Sequence, residues 1–392
     1  MPTKKVASNV VRILVDKTTS HLRRLLMRLN RISKFTKPIT NRLLLTQQAV
    51  ISQIVCGILF SRSLLLAEIA RGFETDVEFP HNLKRVSRFV NNERLSSTNS
   101  KQEVARRLIR QTWRRLHLPP HQRLEIIIDW TSIGDFQALV ALIPVEGRAV
   151  PVLQWVVKKW EFKISQNDLE NQFIQSLSRC IPVGLRVVIV ADRGFQRTSF
   201  LIFLNRMGLG YVIRLKGDAW IETQGYSGKL KDYPLSLGQQ FKLSRVIYHK
   251  TRRYHQKVVF NCERIKAKVA TWMLGTNLGL SAGQIVKLYQ RRFWCEESFR
   301  DQKQEFDLEG VRVKQASRLE NLMMALSIVI LMIAVIGMRG EKLGYSTKFS
   351  LEKKGVKVIS WMQVGLKLLR ESQKYLNLLF DNSAKCFSYH WA

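Results

Sequence analysis

Asp129 closes the apolar run LEIIID and Asp192 closes VVIVAD, while Glu296 and Glu297 sit side by side in the basic stretch YQRRFWCEESFRDQK, residues 289–303. Carboxylates at the carboxyl ends of strands lie where loops vary over a rigid base, the usual place for reactive groups in α/β sheets. Each aspartate alone is as readily a turn former. A third carboxylate changes the chemistry available. Three meeting at one sheet edge could hold two Mg²⁺ ions, with Mn²⁺ as a substitute, because these hard cations take oxygen ligands and keep positions open for water and phosphate. Two such ions about 4 Å apart activate an attacking oxygen and stabilise a leaving one, which is phosphoryl transfer. Asp129 would bridge the ions, with Asp192 and Glu296 completing one each.

Helical spacing separates the two glutamates. At about 100° per residue, Tyr289, Arg292, Glu296 and Lys303 project within roughly a 60° arc, and Glu297 points about 100° away from Glu296. Glu296 therefore shares a face with an aromatic ring, a guanidinium and an ammonium. Ordinary ion pairs on an amphipathic helix give the same spacing.

These residues need a scaffold. LEIIID, QALVALIPV and AVPVLQWVV read as three successive strands, with VEGR as the hairpin turn between the last two. A helix follows, capped by Asn167 and carrying Leu169, Phe173, Ile174 and Leu177 as far as Cys180, before Pro182. LRVVIVADRGF is a continuously apolar strand, RTSFLIFLNRMG a helix and GYVIRL a further strand. That order is the order of a ribonuclease-H-like domain. From about residue 217 to 280 the pattern shortens and alternates, as in an antiparallel β insertion, before Ser281 caps the helix that carries the glutamates. The expected class is α/β: a ribonuclease-H-like catalytic domain interrupted by an antiparallel β insertion and preceded by an α-helical DNA-binding domain. The expected boundaries are 1–118, 119–340 and 341–392, with the first break near Pro119.

The chain of 392 residues carries 64 Lys and Arg against 30 Asp and Glu, a formal charge of +34, with 46% apolar residues. So large an excess repels the compact state and calls for a polyanionic partner, nucleic acid first. The first 50 residues hold 11 Lys and Arg against Asp16 alone, as an arm on phosphates or a solvated tail. In HNLKRVSRFVNNERL, Leu83, Val86 and Val90 share one face, leaving Lys84, Arg85 and Arg88 for a DNA groove or for solvent. Arg106, Arg107, Arg110 and Arg114 follow on another helix. Five cysteines, Cys56, Cys180, Cys262, Cys295 and Cys386, are spaced too singly to hold zinc or build a disulfide framework, which suits a reducing cytoplasm. No secretory signal opens the sequence. LMMALSIVILMIAVIGM, 17 uncharged residues from Leu322 to Met338, falls just short of a bilayer span and reads as a buried core helix, so no membrane partner is expected.

The set Asp129, Asp192 and Glu296 resembles the DDE transposases of bacterial insertion sequences. The spacing Tyr289, Arg292, Glu296, Lys303, together with VADRGF around Asp192, is similar to the family named after insertion sequence four, over about residues 40 to 340. The resemblance implies cut-and-paste transposition of double-stranded DNA. The strand at each terminal inverted repeat would be hydrolysed, the opposite strand cut directly or through a hairpin, and the 3′-hydroxyls joined to target DNA. It further implies DNA contacts from Tyr289, Arg292 and Lys303, a Trp of the β insertion stacked on a flipped base, and a homodimer synapsing two ends in a bacterial cytoplasm at the nucleoid. Trp272 in ATWMLGT is the stacking candidate, and it suits a core position equally. Two alternatives keep the basic charge: a metal-dependent nuclease that never joins strands, and a non-catalytic DNA-binding regulator.

Overall fold

Ten strands hydrogen-bond into one sheet in this computed structural model, which describes residues 27–73, 75–118, 123–159, 164–265, 268–349 and 359–380. The amino-terminal part of the basic arm, the expected break near Pro119 and Cys386 lie outside the described residues. In chain order, residues 27–40 form α1, followed by α2 (Leu45–Ser61), α3 (Leu66–Arg71), α4 (Phe79–Val90), α5 (Glu93–Ser96) and α6 (Thr98–Arg115). Then come β1 (Leu124–Ile133), β2 (Phe136–Val145), β3 (Arg148–Lys158), α7 (Gln166–Cys180), β4 (Val187–Ala191), α8 (Thr198–Arg206) and β5 (Gly210–Arg214). Strands β6 (Trp220–Thr223), β7 (Tyr226–Lys229), β8 (Gln240–Tyr248), β9 (Tyr254–Ile265) and β10 (Lys268–Thr276) follow. The last elements are α9 (Ala282–Gln290), α10 (Trp294–Phe306), α11 (Ala316–Lys342) and α12 (Trp361–Glu371).

The chain forms two compact units, residues 101–302 and residues 1–100 with 303–392. These divisions differ from the sequence boundaries at 118 and 340. The reason is non-local: α11 packs on α2, α4 and α5, which joins the two ends of the chain into one core.

In the unit 101–302 the strand order is β3-β2-β1-β4-β5-β10-β9-β8-β6-β7. Strands β1, β2 and β3 are antiparallel, as hairpin connections require, while β4 and β5 join β1 in parallel through the crossover helices α7 and α8. Glu146 and Gly147 both have positive φ, 35° and 77°, in the turn between β2 and β3, the backbone of a tight two-residue hairpin. The segment expected as an antiparallel insertion does not form a separate sheet. Its strand β10 pairs with β5, so the edge amides of β5 are satisfied and the sheet continues through β9, β8, β6 and β7.

Two local expectations are corrected. Helix α7 is capped by Ser165, whose Oγ accepts from the Asp168 amide at 3.1 Å, and not by Asn167, which lies inside the first turn. Strand β1 runs on to Ile133 instead of ending at Asp129, because its later residues pair with β2.

In the other unit, α11 is buried along its whole apolar stretch, from Leu319 to Met338. It is the one described helix long and apolar enough to cross a membrane, and its apolar window is wholly enclosed by protein. Helix α12 crosses it closely: a Cβ on Gly337 would stand 1.7 Å from the Trp361 carbonyl oxygen, so only glycine fits there. On α4, Val86, Phe89 and Val90 are buried, Leu83 and Arg85 are half-buried, and Lys84 and Arg88 are exposed.

Candidate active site

Pairing between β1 and β4 ends at Ile128 with Ala191, so Asp129 and Asp192 are the next residues on adjacent parallel strands. Residues level with each other on neighbouring strands point to the same face. Asp129 is thus internal to the β1–β2 hairpin and terminal to the β1–β4 pair. Its Oδ1 accepts from the Trp130 amide at 2.9 Å, and its Oδ2 from the Cys295 thiol at 3.2 Å. Asp192 caps a single 3₁₀ turn, Arg193–Phe195, its Oδ1 accepting from the Gly194 amide at 2.8 Å.

Ser281 begins α9 with a capping box, its hydroxyl accepting from the Gln284 amide at 3.3 Å while Gln284 Oε1 accepts from the Ser281 amide at 3.0 Å. The expected continuous helix from there to Lys303 is broken by a 3₁₀ turn, Arg291–Phe293, between α9 and α10. Tyr289, Arg292 and Glu296 therefore belong to three successive segments. The turn brings Arg292 between two carboxylates: Nη1 is 3.4 Å from Asp129 Oδ2, and Nη2 pairs with Glu296 Oε1. Next to it, Arg291 Nη1 pairs with Glu125 at 2.5 Å, on the same face of β1 as Asp129.

Burial changes the meaning of three predicted DNA contacts. Tyr289 is fully buried, Arg292 is 8% exposed and Trp272 is 7% exposed. The Trp272 ring meets Tyr289 edge-on, with centroids 5.4 Å apart, and lies 5.8 Å from Phe293, while the Arg292 guanidinium lies 4.6 Å from the Phe293 ring centre. Trp272 is a core tryptophan beneath Tyr289 and is not presented for base stacking. Lys303 lies on α10 in the other unit and pairs with Glu309 at 2.7 Å.

The electrostatics follow from this enclosure. Burial lifts the Asp129 carboxyl to about 6, with the Asp192 charge adding to the rise and Cys295, Arg292 and the Trp130 amide opposing it. Burial and Asp129 likewise push the Cys295 thiol well above its ordinary range, so it remains a donor to Asp129. Burial works against the Arg292 charge, but Tyr289, Cys295, Glu296 and Asp129 together raise its pKa.

Asp129 and Asp192 fit a hard divalent cation: two carboxylates at the same level on adjacent strands, with Asp129 half-buried so that its own charge is disfavoured. The third does not join them as the side chains stand. Glu296 is turned to Arg292, and among the described residues no group of three His, Cys, Asp or Glu side chains is close enough to hold a metal.

Several contributors escape sequence reasoning. Arg148 pairs with Asp301 at 2.6 Å and Glu297 at 3.6 Å, and the Ala149 amide donates to Ser298 Oγ at 2.5 Å, so α10 is docked on the start of β3. Beside Asp192, Arg193, Arg214, Lys216, Asp218, Thr271 and Met273 line a cavity of about 250 Å³. The position of Arg214 at a strand end and of Arg193 next to an aspartate were the only signals of it in the sequence.

Residues 166–332 match the family model of the transposase DDE domain. The match supports a DDE transposase. It takes in Asp192, Tyr289, Arg292, Glu296 and Lys303, and begins after Asp129. A cryo-EM structure of the piggyBac transposase synaptic complex with hairpin DNA is similar at 10% identity and a TM-score of 0.42, over 89% of this chain and 78% of that one. No curated protein matches the chain.

Proposed function

We propose that this chain is a cut-and-paste DNA transposase of the kind named after insertion sequence four, with a ribonuclease-H-like catalytic domain in which β6–β10 are the insertion. Asp129, Asp192 and Glu296 are its catalytic carboxylates. The observation that carries the reading is the register of β1 with β4, which makes Asp129 and Asp192 neighbours, with Glu296 linked to Asp129 through Arg292.

Asp129 and Asp192 would hold Mg²⁺ or Mn²⁺, with Glu296 as the further ligand once its pair with Arg292 opens. The bound metal supplies activation of the attacking oxygen and charge stabilisation at the leaving one. The protein's own part is positional. The Trp130 amide and the Cys295 thiol fix the Asp129 carboxylate, and the Gly194 amide fixes Asp192. Arg193, Arg214 and Lys216 supply positive charge for backbone phosphates beside Asp192. Lys84, Arg85 and Arg88 on α4, with Arg110 and Arg114 on α6, give further basic faces for duplex. Tyr289 and Trp272 act from beneath as packing that sets Arg292. A homodimer on paired terminal inverted repeats, acting at the nucleoid of a bacterial cytoplasm, completes the proposal.

The test is cleavage of a labelled duplex bearing the DNA end that flanks the gene, in Mg²⁺ and in EDTA, by wild type and Asp192→Asn. Metal-dependent nicks with a free 3′-hydroxyl, and joined products once target DNA is added, are expected from the wild type alone. Cutting without joining replaces the proposal by a nuclease, and binding without cutting by a regulator.

A further inference from the structure

Each of the two aspartates is followed within a few residues by a side chain that ends on the same buried carboxylate. Glu170, on α7, is 3% exposed. Its Oε1 accepts from the Trp130 indole at 3.0 Å and from Gln166 Nε2 at 3.0 Å, and its Oε2 accepts from Arg197 Nη1. Arg197 is held in turn, its Nη2 donating to the Asn167 carbonyl at 3.0 Å and to Asn171 Oδ1 at 3.1 Å, with its guanidinium 4.6 Å from the Phe200 ring centre. Its Nε is buried with no hydrogen-bond partner among the described residues, and Glu170 is the carboxylate that meets its charge.

Both arms lead back to an aspartate. Trp130 holds Glu170 through its indole and orients Asp129 Oδ1 through its own amide. Arg197 stands two residues after the 3₁₀ turn whose Gly194 amide orients Asp192 Oδ1. Side chains alternate along β1, so Trp130 lies on the face opposite Asp129, away from Arg292 and Cys295. Glu170 thus works through the backbone, out of reach of the reacting atoms.

We propose that Glu170 is a positioning residue for DNA cleavage, tying the Asp129 strand and the Asp192 turn to one point on α7 and so holding the spacing of the two carboxylates. This rests on the transposase reading above. The bland alternative is a buried ion pair that only stabilises the unit, and removing one partner of such a pair is destabilising in its own right. Variants that keep shape avoid that confusion: Trp130→Phe removes one arm, Arg197→Lys the fork of the other, and Glu170→Gln the charge common to both.

Two readouts decide. In EDTA, hydrogen–deuterium exchange is followed over residues 129–133 and 192–197. Glu170→Gln is expected to speed both segments, Trp130→Phe only the first and Arg197→Lys only the second, with the rest of the unit unchanged. In cleavage assays, Trp130→Phe and Glu170→Gln should each lower the rate at saturating DNA and raise the Mg²⁺ needed for half the maximal rate, both by about tenfold, as expected of an outer partner of a metal ligand. DNA affinity in EDTA should not change. The double variant should fall within about twofold of Glu170→Gln, since the two act along one path. Exchange that rises evenly across the unit, or a Trp130→Phe protein with wild-type rate and Mg²⁺ midpoint, overturns the proposal. A wild type that never cuts removes the transposase reading, and the exchange pattern still decides separately whether Glu170 ties the two segments.

Discussion

Glu296 and Glu297 are neighbours on α10, yet the two flanks of the helix are built in different ways. Glu297 pairs with Arg148 at 3.6 Å and Arg300 at 3.0 Å, beside Asp301, which meets Arg148 at 2.6 Å, and Ser298, which accepts from the Ala149 amide. That flank is a clamp that fixes the helix against β3. Glu296 is half exposed, and its partner Arg292 is shared with Asp129. A carboxylate with one shared partner can exchange it for another cation. The clamped flank supplies rigidity, and the open flank carries a carboxylate that can change partners.

The sharpest way to break this comparison is to remove one charge from each flank. Glu296→Gln should lower cleavage on the order of a thousandfold, as loss of a group that stabilises charge in the reaction does, while leaving DNA binding nearly intact. Glu297→Gln should cost about threefold or less, since Arg148 keeps Asp301. Equal losses would mean that both flanks act only through helix docking.

Arg148→Ala tests the clamp itself. It removes the guanidinium that meets Asp301 at 2.6 Å, where the Asp301 side chain is 6% exposed, and should lower unfolding stability by about 3 kcal/mol in denaturant titration. If stability is unchanged while cleavage is lost, the clamp belongs to the chemistry and the contrast fails.

At Asp129 the expected effect depends on pH. Burial raises this carboxyl from 3.8 to about 6, so between those values the folded protein keeps a proton that the unfolded chain has released. Stability of the metal-free protein therefore falls as pH rises through that window. Asp129→Asn removes the loss and should be more stable than wild type by about 3 kcal/mol at pH 7.5, with the two converging near pH 4. Added Mg²⁺ should narrow the gap by stabilising the wild type alone. A wild type that is the more stable at neutral pH in EDTA would show that Arg292 and Cys295 already compensate the charge.

Much of the scaffold was legible because it is written in local periodicity. The strands and helices of 124–214 follow from alternation, continuous apolar runs and caps, and Ser281 announced α9. The misreadings were also local in kind. Ser165 outcompeted Asn167 as a cap, and β1 continued past Asp129 because β2 offered it partners that no window of β1 alone reveals. In the site, helical spacing singled out Glu296 on the assumption of an unbroken helix, and the family resemblance implied DNA contacts at Tyr289 and Arg292. The 3₁₀ turn at Arg291–Phe293 and the packing of Trp272 put both inside.

By itself, the sequence determined the basic charge, the element types, the three carboxylates and the order in which they occur, because residue type, period and capping act over a few residues. Only the tertiary structure decided that Asp129 and Asp192 are level on adjacent strands, that Arg292 stands between Asp129 and Glu296, and that Glu170 receives Trp130 and Arg197. Strand register and buried pairing are set by contacts between residues far apart in the chain, where each partner is chosen by what the whole core leaves unsatisfied.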